Sequence, residues 1–125
     1  MIEITAEQAI GALRKVVEGN EGKIAECVYV DPDGEPACIV ANALVKCGAS
    51  MELLSDLDKY QSNAFYGIAG ASNVPHILRK HGVSLDKAAY DIFSIAQRVQ
   101  DGNASSAYAH RDWGYALAAA EDIYA

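Results

Sequence analysis

Residues Ser84–Gly102 read SLDKAAYDIFSIAQRVQDG, the longest stretch of the chain with an unbroken helical period. Leu85, Ala88, Ala89, Ile92, Ile95, Ala96 and Val99 fall three or four apart and so share one face of an α-helix. Ser84 can cap its start, the hydroxyl accepting from a free backbone N–H two or three residues on. Asp86 and Asp91 in the first half and Arg98 near the end suit the helix dipole, and Gly102 offers a left-handed terminator. This segment reads as a buried hub, against which the terminal helices and the arm around Cys38 pack. It is a structural centre and carries no catalytic motif.

The segments on either side follow from local signals. Thr5-Ala6-Glu7-Gln8 has the form of a capping box, and Ala6, Ala9, Ile10, Leu13, Val16 and Val17 continue as an apolar stripe, so a helix is expected over 6–18. Cys27-Val28-Tyr29-Val30 is rich in strand formers, Asp31-Pro32-Asp33-Gly34 is a turn, and Pro36–Val40 is a second apolar run. Together they predict a small β-hairpin whose second arm passes into a short helix over 38–46. A hairpin alone is marginal in water, so it must rest on helices. Ser50 can cap a helix over 51–59, Pro75 opens a short one that Gly82 stops, and Asp112 can cap a last helix over 113–124. Residues 60–75 show no sustained period and read as a long loop. The expected fold is α+β, mostly α: a single compact domain of five or six helices with one small β-hairpin.

Composition narrows the function. Ten Lys and Arg against seventeen Asp and Glu leave a net charge of −7, which argues against a nucleic-acid binder that neutralises phosphates. An acidic decoy of DNA would need those charges on one face, and they are spread evenly. The most apolar run, Ala37–Val45, is nine residues interrupted by Asn42, well short of the roughly 20 a bilayer requires. No basic, apolar leader opens the chain, and three cysteines suit reduced thiols, so a soluble protein of the cytoplasm is expected.

The order of short motifs resembles a group of small proteins encoded in actinobacteriophage genomes. The features are Val28-Tyr29-Val30, Gly34, the run Pro36-Ala37-Cys38-Ile39-Val40, then Ala96-Gln97, Gln100-Asp101-Gly102 and Trp113-Gly114 before an alanine-rich helix. The resemblance extends over nearly the whole chain from Thr5 onward. It implies a phage origin, with a host-cell setting, and a small accessory or host-directed binding protein without an assigned activity.

Candidate chemistry is sparse. Cys27, Cys38 and Cys47 lack the paired spacing of a zinc site, and His76 and His81, five apart, would project about 140° from one another on a helix. No metal and no cofactor are expected. Cys38 stands before a helix, where the dipole favours thiolate, yet Ile39 and Val40 beside it look like core. Asp31 and Asp33, like Asp56 and Asp58, read as solvated pairs. Gln97, Gln100 and Asp101 share a flank of the hub helix, and the Trp113 indole is expected to donate to Asp101 or Gln97, locking two helices. Exposed aromatics are the favoured partner surface, with Tyr60, Phe65 and Tyr66 as candidates. The leading expectation is a non-enzymatic protein that binds a host or phage protein, with homo-oligomerisation through the same patch as a related reading. The alternative is a small cysteine-dependent enzyme or ligand-sequestering protein with a pocket near Cys38.

Overall fold

The computed structural model describes residues 2–25, 28–59, 74–101 and 111–125. Within them the order is β1 (Ile2–Ile4), α1 (Ala6–Val17), α2 (Ile39–Lys46), α3 (Met51–Lys59), α4 (Val74–Lys80), β2 (Val83–Leu85), α5 (Lys87–Gln100) and α6 (Trp113–Tyr124). The mostly helical α+β class is the expected one.

Local chemistry accounts for the helix ends. At α1 the capping box forms on both sides: Gln8 N–H donates to Thr5 Oγ1 at 3.3 Å, and Thr5 N–H donates to Gln8 Oε1 at 2.9 Å. Asp112 caps α6 by accepting from Tyr115 N–H at 3.0 Å. At α5 the cap is Asp86, which accepts from Ala89 N–H at 2.7 Å, and not Ser84. The reason is tertiary, because Ser84 lies inside β2, pairing with Glu3 in a parallel two-stranded sheet. Gly102 lies outside the described residues.

That sheet replaces the regular part of the expected hairpin. Ile2, Glu3 and Ile4 pair with Val83, Ser84 and Leu85, bracketed by Ile2 N–H to Gly82 O at 2.7 Å and Asp86 N–H to Ile4 O at 3.2 Å. The Asp31–Gly34 turn is present, with Gly34 at φ +80 and Asp31 Oδ1 accepting from Asp33 and Glu35 N–H. Its arms share a single antiparallel bridge, Val30 to Pro36, before the chain enters α2.

The core sits where α5 meets α1, α2 and α6. Ala89, Ile92, Ala96 and Val99 are buried as the period predicts, and Ile95 is half-buried against the core. Ala88 is exposed, while Tyr90 and Phe93, outside the predicted stripe, are buried. A helix covered on several sides buries more than one apolar stripe, so Ser94, Gln97 and Gln100 are inside as well.

Candidate functional site

Two features stand out: a buried polar junction at the C-terminal end of α5, and an open groove at the other end of the domain's core helices. The junction is built from distant parts of the chain. Tyr29 donates its hydroxyl proton to Gln97 Oε1 at 3.0 Å. Gln100 Oε1 accepts from Ile39 N–H at 2.7 Å, while its Nε2 donates to Asp101 Oδ1 at 2.7 Å. Arg111 Nε closes the far side by donating to the Gln100 carbonyl at 3.0 Å. From α3, Asp58 grips the segment below, its two oxygens accepting from Tyr29 and Val30 N–H at 2.8 Å each.

These bonds reassign several sequence candidates. The bonds described for Gln97 and Asp101 run to Tyr29 and Gln100, not to Trp113. The Trp113 indole N–H donates to neither; it is buried without an acceptor among the described residues. Trp113 is instead placed by its backbone N–H on Lys23 O at 2.9 Å and by the Lys23 ammonium 4.8 Å over its ring. The carboxylates read as solvated are engaged too: Asp58 as above, and Asp56 with His81 Nε2 at 3.0 Å, a bond that holds the Asp56 pKa below the usual carboxylate range. Tyr60, Phe65 and Tyr66 lie outside the described residues, as do Cys27 and His110.

Cys38 is fully buried and serves as the N-cap of α2, its sulfur accepting from Ala41 N–H at 3.3 Å. Burial pushes its thiol up from 9.0 to about 12, outweighing the Ala41 and Val40 N–H groups that favour thiolate, with Asp101 and Asp58 adding to the rise. Tyr29 moves the same way, above its ordinary 10.0, mainly through burial. Both groups stay neutral in the fold at pH values where the unfolded chain ionises. Their contribution is therefore intact below about pH 9 and declines as pH rises toward 12, since the unfolded state then binds fewer protons. Urea melts should show a loss on the order of 2 kcal/mol between pH 8 and pH 10.5, with Cys38→Ala flattening part of it. Iodoacetamide should reach Cys38 no faster than the domain unfolds; rapid labelling at neutral pH would reinstate it as a nucleophile.

The groove lies beside β1. This strand is paired on one side only among the described residues, and the ladder to β2 consumes the Ile2 and Ile4 amides, so the Glu3 N–H and C=O point away from it. A flank of α1 formed by Gln8, Gly11, Ala12 and Lys15, which recur at helical spacing, lines the same space as Ile2, Glu3 and Ile4. The end of α2 supplies Lys46 and the half-buried Cys47. Between them opens a space of about 450 Å³.

Two glycines shape this groove. Gly48 turns the chain after α2 at φ +102, and a side chain there would meet Ile2 Cδ1 at 3.2 Å. Gly11 is mid-helix with nothing within 4 Å of where a Cβ would stand. A helix-interior glycine costs about 1 kcal/mol relative to alanine, and no packing contact here requires one. Its effect is to leave the groove open.

Among the described residues no cluster of three His, Cys, Asp or Glu side chains is placed to hold a metal, and no helix is long and apolar enough to cross a membrane. No family model, curated protein or solved structure matches this chain.

Proposed function

We propose that the chain is a small, non-enzymatic protein-binding module of the accessory type encoded by phages, acting on a host or phage protein in the host cytoplasm. The observation that carries this reading is the groove lined by β1, α1 and the end of α2, beside a β1 edge that is unpaired among the described residues. Exposed strand edges are templates for pairing with another chain, and proteins that do not use them commonly blunt or cover them. The resemblance of its motif order to that of small phage proteins is what suggests the accessory role. The alternative built on Cys38 has less support, because full burial pushes that thiol up to about 12 and so disfavours the thiolate at neutral pH.

Gly11→Leu tests the reading. The new side chain fills the groove without meeting protein atoms at its Cβ, and the helix gains propensity, so the melting temperature should hold or rise. Capture of partner protein from an actinobacterial host lysate should fall at least tenfold relative to the parent chain. Equal capture by both would remove the groove from the binding function.

A further inference from the structure

We infer that the groove's occupant is an extended, acidic segment of a partner protein that adds to β1 as a third strand; this rests on the protein-binding reading above. Three features converge on that chemistry. The first is the main chain. Glu3 presents one N–H and one C=O in the plane of the sheet, whereas the next amide, Thr5 N–H, is already held by Gln8 Oε1. A ligand therefore gains about two main-chain bonds, which fits strand addition by a short segment and not by a long one.

The second is dimension. From Gln8 to Lys15 the α1 flank runs two helical turns, about 10 Å, the length of roughly three extended residues. Ile2, Ile4, Gly11 and Ala12 give the groove apolar or small surfaces, suited to alternate side chains of an extended peptide.

The third is charge. Lys15 and Lys46 both line the groove, and neither belongs to an ion pair among the described residues, where the basic groups so engaged are Arg14, His81 and Lys87. Glu3 is the one carboxylate among the lining residues. On a chain of net charge −7, the groove is thus a local basic spot that an acidic ligand would find in an otherwise repulsive surface. The competing explanation is that each lysine merely complements the C-terminal end of its helix.

The test is a titration of the isotopically labelled full chain, reading amide shifts at Ile2–Ile4, Gly11, Lys15 and Cys47. The probes are a blocked heptapeptide of alternating valine and aspartate, its lysine-for-aspartate counterpart, and the acidic peptide N-methylated at alternate amides. The acidic peptide should bind with a Kd of roughly 10–1000 μM. N-methylation should abolish binding, the lysine peptide should not bind, and Lys15→Gln with Lys46→Gln should weaken the acidic peptide roughly fivefold to tenfold. Equal binding of the lysine or N-methylated peptide would overturn the inference, as would an acidic peptide that shifts none of these amides. So would a double variant that lowers stability but leaves affinity unchanged, the sign of lysines that only complement helix ends. If the acidic peptide fails while Gly11→Leu still abolishes capture, only the identity of the occupant falls; if Gly11→Leu captures normally, the protein-binding reading falls with it.

Discussion

Phe93→Ala should lower the stability of this domain by about 3–5 kcal/mol, a substantial share of the roughly 5–15 kcal/mol typical of a whole domain. Phe93 is fully buried on α5, the helix that touches α1, α2 and α6 at once. Removing the ring deletes its transfer free energy and leaves a cavity that the surrounding elements cannot close without losing their own contacts. For a domain of this size the midpoint should drop by roughly 10–20 °C. Ala88→Gln is the matched control: it lies on the predicted apolar stripe but is exposed, so it should stay within about 0.5 kcal/mol of the parent. A small effect at Phe93, or a large one at Ala88, would mean that α5 is turned differently from the arrangement described above.

The second large effect is expected at the junction. Gln100→Leu keeps the volume near that of the native side chain but removes the acceptor for Ile39 N–H, which is buried at the first turn of α2. An amide left inside without a partner costs about 1–3 kcal/mol, and the lost bond from Nε2 to Asp101 adds to that. A loss of about 2–4 kcal/mol should appear in urea melts with an unchanged slope. Tyr29→Phe, which removes the donor to Gln97 from the neighbouring bond, should cost less, about 1 kcal/mol. If Gln100→Leu is neutral, Ile39 N–H has another acceptor and the junction does not hold α2 in place. Placing these amides inside also ties the proposed binding groove to the fold, since the end of α2 lines it.

What could be read along the chain was whatever depends on residues three or four apart. The capping box at Thr5, the Asp112 cap, the turn at Asp31–Gly34 and the spans of α2, α3 and α6 all follow from neighbours that a short window contains. The same is true of the apolar face of α5 at Ile92, Ala96 and Val99.

Tertiary structure decided the rest, because its partners are selected by packing and not by spacing. Three-residue strands at Ile2–Ile4 and Val83–Leu85 have too few residues to show a period, and only their meeting makes a sheet and moves the α5 cap from Ser84 to Asp86. Gln97 and Gln100 are polar residues whose burial becomes tolerable once Tyr29 and Ile39, 68 and 61 positions away, bring matching hydrogen-bond groups. The groove exists for the same reason. Gly11, Lys15 and Lys46 are unremarkable in the linear chain, and they become one surface when α1 and α2 pack side by side next to a strand that is paired on one side only among the described residues.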